Sequence, residues 1–116
     1  KMKTIEIVNK ISLEELKQMA KKMFGSLVKA VVDVEKKIMV VDAELHADEE
    51  ASLLKNKSYQ KDLWGINIYP EINDENWIEF DSMINLRPSQ ENRSRSVDNL
   101  EIQKKIIEIV NSLIIK

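Results

Sequence analysis

The amino-acid sequence predicts an α+β fold: a mostly antiparallel sheet of about five strands with two helices packed on one face. Short β-branched segments separated by turn residues indicate strands joined as hairpins. Two segments with 3.6-residue periodicity begin at capping-box sequences, which mark helix starts. A chain of 116 residues, 43% hydrophobic, is the size of one domain. We therefore expect a single domain over residues 1–116, in the order β-α-β-β-α-β-β-α.

The first half of the chain supplies three strands and one helix. Alternation predicts a strand over residues 3–8, and Ser12 with Glu15 forms the capping box of a helix over residues 13–24. Valine-rich residues 27–34 and residues 38–45 are separated by a short polar turn. This spacing predicts an antiparallel hairpin.

The second half supplies a short helix, two strands and a closing helix. Residues 47–55 change to helical periodicity, and residues 63–69 and 77–87 alternate as strands. Pro88 ends the second of these strands because it has no amide proton for a sheet ladder. Asp98 and Glu101 form a second box before a closing helix of about four turns, and the first and third helices should share the apolar face.

Composition excludes several classes of protein. A net charge of −2 and the absence of cysteine are atypical of general nucleic-acid binders, disulfide scaffolds and thiolate metal sites. No segment has the apolar length of a signal peptide or a membrane span, so we expect a cytoplasmic protein without a membrane partner. Glycine-rich phosphate loops and nucleophile elbows are also absent from the sequence.

A polar sheet face is predicted from the alternation of residues 77–87. Side chains two apart share a face, so the residues opposite Ile78 and Phe80 should be exposed together. This face would bind a partner through Trp77, Asn67, Asn85 and Arg87.

All three arginines of the chain lie within residues 87–95. A guanidinium binds a carboxylate or phosphate bidentately, which a lysine ammonium does not reproduce. The polar loop adds further binding candidates: Gln90, Asn92, Arg93 and Arg95. The simpler interpretation is that these arginines tether the loop to the acidic sheet face by ion pairs.

A second set of polar residues precedes the short helix. Glu44, His46 and Asp48 are candidate ligands for a divalent cation, since oxygen and imidazole ligands suit magnesium, manganese or zinc. The corresponding catalytic candidates are His46, Glu79, Asp81 and Arg87. The spacing matches no motif of known coordination, so a solvated acidic face and a helix-capping His46 are the competing interpretations.

Three stretches, residues 44–50, 62–70 and 78–94 (E-L-H-A-D-E-E, D-L-W-G-I-N-I-Y-P and I-E-F-D-S-M-I-N-L-R-P-S-Q-E-N-R-S), resemble an uncharacterised family of small prokaryotic single-domain proteins, a domain of unknown function. The resemblance extends over nearly the whole chain and supports treating it as one domain. It implies no catalytic residue, cofactor or substrate.

Two functions are compatible with these patterns. The first is a binding or protein-interaction module that uses the polar sheet face and the arginine loop, with itself (as a homodimer) or another protein as partner. The alternative is a divalent-metal-dependent hydrolase acting on a phosphate ester or nucleic acid bound by the arginine loop. Strand order decides between them, because it determines whether the acidic residues and the arginines meet.

Overall fold

A computed structural model describes residues 7–116 of the chain. Part of the first predicted strand, residues 3–6, lies outside this range. The regular elements are β1 (Ile7–Val8), β2 (Ile11–Ser12), α1 (Leu13–Met23), β3 (Val28–Asp33), β4 (Ile38–Val41), α2 (His46–Lys55), β5 (Leu63–Ile68), β6 (Ile78–Glu79), α3 (Leu100–Leu113) and β7 (Ile114–Ile115).

The main sheet has five strands in the order β1-β4-β3-β5-β6, and every neighbouring pair is antiparallel. This arrangement confirms the predicted α+β class, the antiparallel sheet and the β3–β4 hairpin. A separate two-stranded sheet pairs β2 with β7 in parallel, Ile11 opposite Ile114. No sequence pattern had indicated this second sheet.

Helices cover both faces of the main sheet, and the core under α1 and α3 is larger than the core under α2. Helices α1 and α3 pack Leu16, Ala20, Ile106 and Val110 against the larger apolar face. Helix α2 packs on the opposite face, where Leu53 contacts a small core that includes Val31, Val40 and Leu63. The predicted open polar face is therefore wrong over the area that α2 covers.

The helix starts follow local hydrogen bonding. At α1 the predicted capping box is present: the Glu15 amide donates to Ser12 Oγ at 3.0 Å, and the Ser12 amide donates back to the Glu15 carboxylate. At α3 the predicted cap, Asp98, is wrong by one residue. Asn99 caps this helix by accepting from the amides of its first turn, and the carboxylate of Asp98 instead accepts from the preceding loop.

The predicted strand over residues 38–45 is shorter than expected. It ends at Val41, and Asp42 has a φ of +72°. This left-handed conformation interrupts an extended chain, so residues 42–45 turn toward the start of α2.

The predicted strand over residues 77–87 is wrong beyond its first few residues. Only Ile78–Glu79 pairs with β5, and the chain then leaves the ladder and forms a 3₁₀ turn at Met83–Asn85. The Asn85 side chain replaces the missing strand: its Oδ1 accepts from the Gly65 amide at 2.8 Å, and its Nδ2 donates to the Gly65 carbonyl at 3.0 Å. The edge of β5 is thus paired by a side-chain amide.

Trp77 lies in the core and not on the predicted polar face. It ends a 3₁₀ turn, Glu75–Trp77, immediately before the two residues of β6. Strand alternation does not extend across this turn, so Trp77 and Ile78 both join the larger core cluster, each 7% exposed. No helix within residues 7–116 is long and apolar enough to cross a membrane.

We expect Gly65→Ala to lower the free energy of unfolding by about 1–3 kcal/mol, the usual cost of overpacking. A Cβ at this position would lie 2.6 Å from both Cβ and Oγ of Ser82. Urea denaturation of Gly65→Ala, of Ser82→Gly and of the double variant measures the effect. The double variant should lose less stability than the sum of the two single variants, and strict additivity would contradict the steric explanation.

Candidate functional site

Helix α2 places its first residue, His46, over the middle of β5. The imidazole Nε2 is 2.7 Å from the carbonyl oxygen of Ile66, and the side chain is buried. A carbonyl only accepts hydrogen bonds, so Nε2 carries the proton in this contact.

The charge state of His46 follows from its surroundings. Burial lowers the pKa of His46 below its usual value; the Ile66 carbonyl and Asp81 oppose this shift, while Lys29 and Arg95 reinforce it. His46 is therefore a neutral donor at neutral pH, and it lies within the electrostatic reach of two cations and one carboxylate.

Asn67 and Glu79 face each other across β5 and β6. Asn67 Nδ2 donates to Glu79 Oε1 at 2.8 Å, and the Tyr69 hydroxyl donates to the same oxygen at 3.0 Å. Burial and the hydrogen bond to Glu79 raise the pKa of Tyr69. Glu79 is exposed, whereas Asn67 Oδ1 is buried without a hydrogen-bond partner.

The loop after β6 is joined to the arginine loop by an ion pair. Arg95 Nε lies 2.6 Å from Asp81 Oδ1, and the two side chains are 52% and 42% exposed. The predicted tethering of the loop to the acidic residues is therefore present at Arg95. Because both groups are half exposed, solvent screens much of their attraction.

The structure thus brings together side chains from four separate segments of the chain. We call this group the polar cluster: His46, Asn67, Glu79, Asp81 and Arg95. Asn67 Nδ2 also lies 3.4 Å from the Asp81 carbonyl oxygen. His46 and Asn67 are buried, so the accessible part of the cluster is formed by Glu79, Asp81 and Arg95, which carry both signs of charge.

Three other predicted binding residues have a structural role. Arg87 lies over the Trp64 ring, 4.2 Å from the centroid, and donates to the carbonyls of Leu63 and Gln60. Asn92 Nδ2 donates to the Asn85 carbonyl at 2.7 Å, and its Oδ1 accepts from the Asp98 amide. Asn85, Arg87 and Asn92 are buried, so they shape the loop from inside and present little surface to a partner.

The remaining candidates lie apart from this cluster. Glu44 and Asp48 are exposed beside the start of α2, and Arg93 and Gln90 are exposed on the arginine loop. Gln90 Nε2 donates to the Lys61 carbonyl at 3.2 Å. Within residues 7–116, no three histidine, aspartate or glutamate side chains are grouped closely enough to hold a metal ion.

Sequence reasoning missed Glu49, a fully buried carboxyl group three residues after His46. Its Oε2 accepts from the Ala43 amide at 3.2 Å, and its Oε1 has no hydrogen-bond partner. Burial raises the pKa of Glu49 to about 10, so the group is protonated at neutral pH. A signal existed in the helical spacing, since His46, Glu49 and Leu53 fall on one buried side of α2.

Comparison with protein families gives a match over most of the chain. A family model described as "Protein of unknown function (DUF5674)" matches residues 5–113. No curated protein and no solved structure matches the chain.

Glu49 should make the stability of the domain depend on pH. The pKa of this carboxyl group is about 10 in the folded state and about 4.3 in the unfolded chain. Below the lower value the group is protonated in both states, and its contribution to stability is fully present. As pH rises between the two values, only the unfolded state releases the proton, so stability falls by about 1 kcal/mol per pH unit.

Glu49→Gln removes this titration while preserving the side-chain shape. We expect the variant to gain stability relative to the wild type as pH rises from 5 to 9, measured by urea denaturation at each pH. Glu50→Gln, one residue along on a partly exposed side of α2, is the matched control. A stability difference that is the same at every pH would contradict a buried, protonated Glu49.

Proposed function

The chain belongs to a family of proteins of unknown function, and from the geometry of its own polar cluster we propose that it is a protein-interaction module that associates with a second copy of itself. The observation that carries this proposal is the convergence of His46, Asn67, Glu79, Asp81 and Arg95 from four segments. The groups accessible to a partner are Glu79, Asp81 and Arg95, and the buried Asn67 fixes the position of Glu79 by a hydrogen bond.

The charge pattern supports a second copy as the partner. The exposed carboxylate of Glu79 and the half-exposed guanidinium of Arg95 lie on the same surface. In a two-fold symmetric interface each copy presents the same patch to the other. A patch that carries both signs can therefore place its carboxylate against the partner's guanidinium and its guanidinium against the partner's carboxylate.

An exposed apolar side chain lies close to this patch in the sequence. Met83 is 62% exposed and follows Asp81 by two residues. Methionine is flexible and adapts to irregular surfaces, which suits a contact at an interface. The apolar part of the proposed surface is therefore Met83 and not Trp77, because Trp77 lies in the core.

The alternative, a divalent-metal hydrolase, has less support from the contacts. Asp81 pairs with Arg95, and Glu79 accepts from both Asn67 and Tyr69. His46 Nε2 bonds to the Ile66 carbonyl. Glu44 and Asp48 lie outside the cluster, and within residues 7–116 no three histidine or acidic side chains are grouped to hold the metal that this alternative requires.

Sedimentation velocity over a range of concentrations tests the proposal. We expect the wild type to associate with increasing concentration and with increasing strength at low salt, because salt screens exposed charges. Glu79→Lys should weaken association by at least about tenfold, because it places like charges against each other across the interface. Glu101→Lys on α3, whose side chain is 82% exposed, is the matched control.

Two results would overturn the proposal. A wild type that remains monomeric at the concentrations used for NMR spectroscopy excludes self-association. Equal weakening by Glu79→Lys and Glu101→Lys assigns any association to net charge alone. Backbone amide spectra of both variants check that each keeps the wild-type fold.

A further inference from the structure

A cavity of about 450 Å³ opens between the start of α1, the loop over residues 70–75 and the segment around Lys116. This volume lies within the range of small-molecule binding sites. The residues of the polar cluster do not line it, so the cavity is separate from the proposed association surface.

One wall of the cavity is the indole of Trp77, and a cation already lies over this ring. The ammonium nitrogen of Lys116 is 4.7 Å from the ring centroid. The negative face of an indole attracts cations at this distance, and tryptophan does so more strongly than the other aromatic residues. Within residues 7–116 the ammonium has no ion-pair partner, so the ring is its main electrostatic contact.

Two carboxylates line the same cavity. Asp74 and Glu75 are both exposed, and neither forms an ion pair with another part of the chain that the structure describes. One oxygen of Asp74 accepts from the Asn76 amide at 2.9 Å. By contrast, Glu71 in the same loop pairs with Lys17 at 3.8 Å and does not line the cavity. Among the residues that line the cavity, two carboxylates and one ammonium group carry charge, so the lining is net negative.

The other walls are apolar. Leu13 from α1 and Pro70 and Ile72 from the loop contribute hydrocarbon surface beside the Trp77 ring. Such walls exclude water from a bound alkyl group, while the carboxylates at the rim keep a charged group in a favourable field.

We propose that this cavity is a binding site for an organic ammonium ion. The charged nitrogen lies over the Trp77 face near Asp74 and Glu75, and the alkyl part contacts Leu13, Pro70 and Ile72. The side chain of Lys116 occupies the nitrogen position when the ligand is absent. Ligand and Lys116 therefore compete for the same aromatic face.

Titration with tetramethylammonium chloride, followed in proton–nitrogen correlation spectra, tests this inference. We expect a saturable shift of the Trp77 indole signal. The Trp64 indole, which is 2% exposed beneath Arg87, should not move and reports any global change. Sodium chloride at equal ionic strength controls for salt, and tert-butanol, a neutral molecule of the same shape, controls for hydrophobic contact.

Substitutions separate competition from general electrostatics. Lys116→Ala should tighten tetramethylammonium binding by about two- to fivefold, the equivalent of one exposed cation–π contact. Asp74→Asn, which keeps an acceptor for the Asn76 amide, and Glu75→Gln should each weaken binding. Glu71→Gln is the matched control, because it removes the same charge from the same loop outside the cavity.

Each outcome decides the question. A Trp77 shift that tert-butanol reproduces, or that does not saturate, overturns the inference. So does a Lys116→Ala variant that binds tetramethylammonium more weakly than the wild type. Equal effects of Glu71→Gln and Glu75→Gln would assign the shift to net charge and not to a site. A monomeric wild type would leave these results unaffected, so failure of the self-association proposal is distinguishable.

Discussion

The pairing of the Asn85 side chain with the backbone of Gly65 is the interaction on which the second half of the fold depends. Its two hydrogen bonds complete the edge of β5 after β6 has ended. The same amide nitrogen donates to the Arg95 carbonyl at 2.9 Å, and the Ser82 amide donates to that carbonyl at 3.0 Å. The backbone position of Arg95 is therefore determined by an asparagine ten residues earlier, and the ion pair with Asp81 follows from it.

The buried titratable groups of α2 are neutral and leave the charge of the polar cluster to its more exposed members. A buried ionised carboxylate without a cation partner would cost several kcal/mol, and Glu49 avoids this cost by remaining protonated. His46 is likewise neutral because of its burial. The net field of the cluster then comes from exposed or half-exposed groups, chiefly Glu79, Asp81, Arg95 and the nearby Lys29. Burial has removed the two buried titratable groups of α2, His46 and Glu49, from that balance at neutral pH.

Local sequence signals were sufficient for most of the fold. The Ser12–Glu15 box, the valine-rich hairpin and the periodicity of α3 each depend on residues close in sequence, and each was predicted. The predictions were wrong where contacts with residues distant in sequence determine the backbone conformation. Alternation over residues 77–87 resembles that of a strand, but the segment forms a 3₁₀ turn at Met83–Asn85 and pairs with the Gly65 backbone only through the Asn85 side chain. Trp77 was assigned to that strand and to its polar face, so its burial in the core was not predicted.

In the candidate site, too, the residues could be identified from local sequence, but their contacts depend on residues distant in the chain. The sequence singled out Asn67, Glu79 and Asp81 on predicted strands, His46 before the short helix and Arg95 in the polar loop, and the structure brings them together. Their hydrogen-bond partners depend on strand order, which no spacing encodes. Asn92 and Arg87 look from sequence like exposed recognition residues, yet loop closure buries them. The burial of Glu49 was not predicted, because an acidic residue in the first turn of a helix is normally solvated.

The parallel pair β2–β7 has a consequence for how the chain folds during synthesis. Ile11 and Ser12 find their partners at Ile114 and Ile115, so almost the whole chain lies between the two strands. Contacts this distant in sequence carry a large loop-closure entropy and form late. The strand that leads into α1 must remain unpaired along the growing polypeptide until β7 has been synthesised, and α1 can fold onto the sheet before its own leading strand is fixed.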